Sequence, residues 1–404
     1  MDFSIDEPSR KLVNELDDRF LRGIASRAPV TDEVGAIPPE NWREIAQSDY
    51  ARLFHPASVG GLGADGVTQA MAMERLARAC PSTFWSATMS VLVCAKLIHT
   101  YGDAEHHGRL LEPLLRFERL ACFPVVENTS GSDASTYTTA VRRDADGYVI
   151  TGEKSRITNA TTADLGVVLA RFEEHEYGWC YAFVDLRQDG VRTYRMHDLG
   201  LRGMPWGGIV FNRARIGVRD VVPVRLEEFP HGMAWGWLFI SIAAIAIAQN
   251  ALDASIAHAR SHKAFGRPLI HMDRVQEAIA EMRTQIDAAR LLAYRCAWHR
   301  AEGRLAQDLV GMLKPYATEM AVRATQHAVQ IHGAWGLTHG YPVERMYRDA
   351  PMNVIGGFAS NRLRELVAQD LGLPTPYQDF DWLKATGLDV DCAVHPGALL
   401  SAGR

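Results

Sequence analysis

Cysteine is sparse in this chain and carries no pattern. The six residues, Cys80, Cys94, Cys122, Cys180, Cys296 and Cys392, lie far apart and show neither CxxC nor any metal-ligand spacing. That argues against a metal site or a disulfide scaffold and for reduced, structural thiols. Positive charge is not in excess either: 43 Lys plus Arg stand against 48 Asp plus Glu, for a net charge of -5. This balance argues against nucleic acid as a main partner and leaves room for a small anionic ligand on a local patch. The N-terminus, MDFSIDEPSRKLVNELDDRF, is acidic and has no apolar core of the kind a secretory signal needs, so a cytoplasmic location is expected. Long apolar runs are nearly lacking. The exception, Trp235 to Ala248 (WGWLFISIAAIAIA), stops at Gln249-Asn250 and falls short of the ~20 apolar residues that cross a bilayer. A helix buried on all sides is expected there, with no membrane as partner.

What is present is a change of periodicity along 404 residues, enough for two or three domains. From Pro8 to about Leu120 apolar residues recur at helical spacing, with one break at Gly60-Gly61-Leu62-Gly63. Between Ala121 and about Val224 short β-rich runs take over, such as Tyr148 to Thr151, Val167 to Ala170 and Trp179 to Val184. Helical spacing then returns in four long segments: Trp235 to His262, Arg274 to Glu302, Ala306 to Gly333, and Val343 to about Asp370. The pattern predicts a helical domain over 1–120, a β domain over 121–228, a four-helix bundle over 229–373 and a proline-containing tail over 374–404.

Several motifs follow one another in order. Cys122-Phe123-Pro124-Val125-Val126-Glu127-Asn128-Thr129-Ser130-Gly131-Ser132-Asp133 opens the β region, and GYVITGEKSRITNA runs from Gly147 to Ala160. Leu199-Gly200-Leu201-Arg202-Gly203, Phe265-Gly266-Arg267-Pro268-Leu269 and AVQIHGAWGLTHGYPVERMYRDA (Ala328 to Ala350) come after them. Each resembles a signature of the acyl-CoA dehydrogenases, and the resemblance extends from about Val59 to Asp370. It implies an α+β fold of that type: helical N-terminal domain, central β domain, C-terminal four-helix bundle. It further implies FAD as cofactor, an acyl thioester of CoA or a carrier protein as substrate, and a homodimer or homotetramer or a pairing with a paralogous subunit.

The residues can then be taken one at a time. Gly131 and Ser132 form a turn without a side chain followed by a hydroxyl, which lets N–H and O–H groups approach a phosphate. The resemblance assigns Phe123, Val125, Val126, Ser132, Arg156 and Thr158 to the flavin, and His262, Phe265, Gln330 and Gly333 to the cofactor of a neighbouring subunit. Gln330 and Gly333 also fit a helix end closed by glycine. Several positions depart from the family pattern. Val126 replaces a threonine and cannot hydrogen-bond through its side chain, Arg156 replaces a tryptophan, His262 an arginine, Asp273 a glutamine and Ala359 a threonine. These departures predict FAD that is bound weakly or lost. An imidazole at 262 predicts affinity that declines as pH rises from about 6 to 8.

The family reaction needs a carboxylate to take the α-proton while a hydride leaves the β-carbon. Its usual position falls on Gly357, in Gly356-Gly357-Phe358-Ala359, and the position used by a minority falls on Gly236, next to Trp237. No catalytic residue is therefore expected at either place, and His231, just before the first bundle helix, is the remaining candidate base. His332, Glu344 and Asp349 read as packing, ion-pair or capping residues. The expected activity is an FAD-dependent oxidoreductase with a non-standard or missing base. The alternatives are a base-lacking subunit of a heteromer, a flavin monooxygenase, or an FAD-free enzyme on the same fold.

Overall fold

In the computed structural model, which describes residues 2–226, 229–301 and 307–373, the order of helices and strands follows the periodicity. The N-terminal helices are Glu7–Arg22 (α1), Ile24–Val34 (α2), Pro39–Ala46 (α3), Gly66–Ala79 (α4), Pro81–Thr88 (α5), Ala95–Tyr101 (α6), Ala104–His106 (α7) and Glu112–Leu115 (α8). Their starts are specified locally. Asp6 accepts the Ser9 N–H at 2.9 Å, and Asp65 accepts those of Val67 and Thr68 at 2.9 and 3.0 Å, satisfying donors that a helix N-terminus leaves open. Pro81 opens α5, where no intrahelical donor is needed.

The central sheet comprises Ala121–Cys122 (β1), Ala140–Asp144 (β2), Gly147–Ile157 (β3), Leu165–Phe172 (β4), Gly178–Asp185 (β5), Val191–Arg195 (β6), Gly207–Ile216 (β7) and Val221–Pro223 (β8). Strand order is β6-β7-β3-β2-β4-β5-β8, with β1 paired to β4. β2 and β3 form a hairpin closed by Ala145-Asp146, with Asp144 opposite Gly147, a two-residue loop of the kind that Asp and Gly favour. The predicted runs around Ile150, Val168 and Ala182 lie in β3, β4 and β5.

The bundle is built from Phe229–Ser261 (α9), Asp273–Ala301 (α10), Gln307–His332 (α11) and a fourth limb split into Pro342–Ile355 (α12) and Ser360–Asp370 (α13). A hairpin of Lys263–Ala264 (β9) and Arg267–Pro268 (β10) follows α9. Two expectations are corrected here. The fourth limb, predicted as one helix, breaks because Gly357 (φ 64°) and Phe358 (φ 76°) occupy the left-handed region, where a right-handed helix cannot continue. And α9 begins at Phe229 instead of Trp235, so His231 lies within the helix rather than before it; its side chain is outside the described residues. The tail from residue 374 also lies outside them, with Cys392; the other five cysteines are free and buried.

The apolar run in α9 is long and apolar enough by composition to cross a bilayer. Its side chains from Met233 to Ala248 are all buried, against α4, α5, α10, α11 and α12, so it is the central helix of the bundle. The sheet is joined to both helical layers at residues 200–203. A Cβ on Gly200 would collide with the Arg348 carbonyl of α12, and one on Gly203 with Thr31 of α2. Between them, the Leu201 N–H donates to Asp349 at 2.6 Å. Arg348 closes the joint by pairing with Asp32 of α2 at 2.6 Å and Glu344 at 2.8 Å. Glu344 thus makes an ion pair, as the sequence suggested, whereas Asp349 accepts a backbone N–H from the loop between β6 and β7.

Candidate active site

The segments that carry Gly357 and Gly236 are joined by a hydrogen bond. Trp237 Nε1, one residue past Gly236 on α9, donates to the Gly357 carbonyl at 2.6 Å. A Cβ on Gly357 would lie 2.6 Å from Ile240 Cδ1 and 3.4 Å from Trp237 Cδ1, and one on Gly356 would lie 2.6 Å from Trp85 Cη2. A side chain at Gly357 would therefore require the Ile240 tip to move, and one at Gly356 would press on Trp85 and the Met352 carbonyl. Gly236 differs, since a Cβ there would meet Met233 Cε at 3.6 Å, an ordinary contact.

A buried lysine holds the same turn. Lys314 of α11 is 0% exposed and donates to the carbonyls of Val354 at 2.6 Å and Phe358 at 2.7 Å. Burial pushes its ammonium group down to about 7, against the opposing pull of Glu319. A cation at the C-terminus of α12 also complements that helix's dipole. Phe358, an aromatic residue with positive φ, carries strain of about 1–3 kcal/mol. Its ring lies 6.0 Å from Phe229, whose ring stacks on Phe123 at 6.0 Å; Phe123 contacts Tyr181, and Tyr181 meets Tyr101 at 5.1 Å. An aromatic row thus runs from the turn across the start of α9 to the β domain.

Phe123 belongs to the loop that the sequence assigns to the flavin. Its neighbours turn their carbonyls inward: Pro124 accepts from the Leu169 N–H at 3.1 Å, Val125 from Lys154 Nζ at 2.7 Å and Val126 from the Ser155 N–H at 3.0 Å. Beneath the loop, Lys154 and Glu127 form a buried pair at 3.0 Å. Burial alone would raise the Glu127 carboxyl, but Lys154 and the N–H groups of Thr138 and Thr139 outweigh it and hold Glu127 down to about 2. The half-buried Val126 side chain touches both the helical core and the sheet core. Arg156 (φ 58°) reaches Ser155 at 2.9 Å, and the Thr158 hydroxyl lies 3.5 Å from Met204 Sδ. Gly131 has open space where a Cβ would be, and Ser132 beside it is half-buried.

The other four candidates lie at the opposite end of α9. With 33 residues that helix separates its ends by about 50 Å at 1.5 Å per residue, too far for one flavin dinucleotide to touch both groups within one chain. At this far end His262 stacks on His258 (4.9 Å between centroids), and His258 stacks on His332 (4.2 Å). His332 Nδ1 lies 2.8 Å from the Ala328 carbonyl, while His258 Nε2 is buried without a hydrogen-bond partner among the described residues. Burial first, then the two neighbouring imidazoles, lower the pKa of His258. The rings are face to face, and no group of three ligands suited to a metal occurs among the described residues. Phe265, at the tip of the β9–β10 hairpin, is 97% exposed. Gln330 and Gly333 are exposed too, and Gly333 (φ 59°) ends α11 as a helix-closing glycine should.

Three family models match in sequence order: the acyl-CoA dehydrogenase N-terminal domain over residues 7–118, the middle domain over 122–214 and the C-terminal domain over 231–372. The chain is 30% identical to benzylmalonyl-CoA dehydrogenase of Aromatoleum aromaticum, over 92% of this chain and all of that protein. It belongs to the acyl-CoA dehydrogenase family. Another relative in this family, the human mitochondrial short-chain specific acyl-CoA dehydrogenase, is 30% identical over 85% of each chain. Among solved structures, glutaryl-coenzyme A dehydrogenase with glutaryl-CoA is similar at a TM-score of 0.88 and 25% identity, covering 93% of this chain and 98% of that one. The implied fold is borne out, and the protein is an acyl-CoA dehydrogenase-like flavoprotein enzyme.

Proposed function

We propose that this enzyme is an FAD-dependent oxidoreductase that acts on an acyl thioester without a carboxylate at either family base position. The residues fit the cofactor. The loop from Phe123 to Ser132 spends its carbonyls on the protein interior and offers an apolar floor at Val125 and Val126. The open turn at Gly131-Ser132 suits a phosphate. Phe123, Val125, Val126, Ser132, Arg156 and Thr158 would hold the flavin. His262, Phe265, Gln330 and Gly333 of a second copy would reach its diphosphate, which agrees with the distance between the two groups. When bound, FAD accepts the hydride that leaves the acyl chain.

The observation that carries the second half of the reading is the crowded turn at Gly357. A Cβ at Gly357 would meet Ile240 Cδ1 and Trp237 Cδ1, so a side chain there needs Ile240 to change rotamer. The α-proton must then leave to solvent or to His231, and turnover should fall short of a base-bearing relative by about 10²- to 10⁴-fold. A second reading, a base-lacking subunit completed by a paralogue, is supported by the glycines at both positions where the family carries its base, Gly357 and Gly236.

Anaerobic titration of the purified protein tests both. A yellow protein slowly bleached by an acyl thioester supports the first reading. A colourless protein that turns yellow only with a co-expressed paralogue supports the second. A protein that never binds FAD refutes both.

A further inference from the structure

Three successive carbonyls of the loop assigned to the flavin point into the protein, and only one of them is held by a side chain. Pro124 accepts from the Leu169 N–H and Val126 from the Ser155 N–H, both backbone groups, whereas Val125 accepts from Lys154 Nζ at 2.7 Å. In a trans peptide the N–H of the next residue points opposite to the carbonyl, and no peptide bond among the described residues is cis. The N–H groups of Val125 and Val126 are therefore aimed away from these interior contacts, and neither meets an acceptor among the described residues. The peptide that Lys154 grips is the one that carries the Val126 N–H.

Lys154 is itself built in. It is 0% exposed, pairs with Glu127 at 3.0 Å and lies 4.7 Å from the centre of the Tyr137 ring. Glu127 is anchored by the N–H groups of Thr138 and Thr139 at 2.8 and 2.9 Å, and Tyr137 donates its hydroxyl to the Gly131 carbonyl. One buried cluster thus holds the loop at Val125 and again at the turn beside Ser132. A buried ion pair is a weak source of stability, so its place beneath a loop whose donors face outward points to a role in the site.

We propose that Lys154 is a positioning residue of the cofactor site, which through the Val125 carbonyl fixes the Val126 N–H as a donor to an acceptor atom of the flavin ring. The proposal rests on the FAD reading above. A valine side chain cannot donate, so this N–H is the one donor that residue 126 offers, and its direction depends on Lys154.

The test compares Lys154→Met with the double variant Lys154→Met/Glu127→Gln. In wild type and in the double variant the pair has no net charge, so an effect common to both variants comes from the lost grip on Val125. FAD affinity is measured by fluorescence titration of the apoprotein, and the reduction potential on the reloaded protein. Both variants are expected to bind FAD about 3- to 10-fold more weakly. The potential should fall in both, because a donor at the ring favours the negative charge gained on reduction. Val184→Ala, a core deletion in β5, should lower the melting temperature and leave affinity and potential unchanged. A measurement on wild type needs no variant to fold: FAD should slow hydrogen exchange at the Val126 amide at least 10-fold. If wild type binds no FAD, the FAD reading fails and takes this one with it. If wild type binds FAD, the role of Lys154 alone is overturned by wild-type affinity and potential in the double variant, by an equal loss in Val184→Ala, or by a Val126 amide that FAD does not protect.

Discussion

Substituting Gly357 by alanine probes the crowded turn with a single methyl group. Two costs are expected. The left-handed backbone (φ 64°) penalises any Cβ by about 1–2 kcal/mol. The contact with Ile240 Cδ1 at 2.6 Å forces that side-chain tip off its rotamer, for about 0.5–1.5 kcal/mol. Gly357→Ala should therefore destabilise by about 1.5–3.5 kcal/mol. Ile240→Val removes the very carbon the new methyl meets and by itself costs about 0.5–1.5 kcal/mol. The double variant should then keep the backbone penalty and shed the clash, showing a favourable coupling of about 0.5–1.5 kcal/mol. Urea unfolding followed by tryptophan fluorescence, with Trp237 reporting from the turn, measures all four proteins. Strict additivity, or a cost below about 1 kcal/mol for Gly357→Ala, would refute the crowded turn. The same geometry predicts that Gly357→Glu alone restores no dehydrogenase activity.

Gly236→Ala should act in the opposite sense, raising stability by about 0.5–1 kcal/mol, because the added carbon meets Met233 at an ordinary 3.6 Å in a helix interior; a measurable loss in the same urea experiment would contradict that packing. Acid stability should depend on His55, whose pKa burial, and then Lys96, depress from 6.5 to about 3. The folded state keeps His55 neutral while the unfolded chain takes up a proton below pH 6.5. The contribution is therefore intact above that value and is lost as pH falls toward 3, by up to about 5 kcal/mol at 1.36 kcal/mol per unit. His55→Asn should flatten the pH dependence of the urea midpoint between 6.5 and 4, and an unchanged slope would exclude His55 as the source. At the far end of α9, His262→Arg should tighten FAD binding, because it places a fixed charge where the resemblance puts a neighbour's diphosphate; unchanged affinity in a fluorescence titration would remove His262 from the cofactor site.

The architecture was legible because it rests on local signals. Helical spacing, the Asp144–Gly147 hairpin and caps such as Asp6 and Asp65 act over a few residues, and the structure uses them as written. The break in the fourth limb was also present, as Gly356-Gly357, but helical periodicity on both sides masked it. The contacts that define the site were not legible. Trp237 and Gly357 are 120 residues apart in sequence, and nothing local pairs them. Lys314 lies in the apolar stretch GMLKPYA and His258 one turn before His262, and neither belongs to a recognisable motif. Phe358 was read as part of a motif, because its significance lies in a backbone angle that no residue list displays.

The joint at residues 200–203 bears on how anything enters or leaves this molecule. A hinge forms where few contacts cross a boundary, yet here one short segment is in backbone contact with helices on two sides and is pinned through Leu201 and Asp349. Opening the sheet away from α12 would break the Leu201–Asp349 hydrogen bond, and opening it away from α2 would part Gly203 from Thr31. Parting of the layers is therefore opposed on both sides, and passage to the interior is expected to use loops and side chains that swing aside.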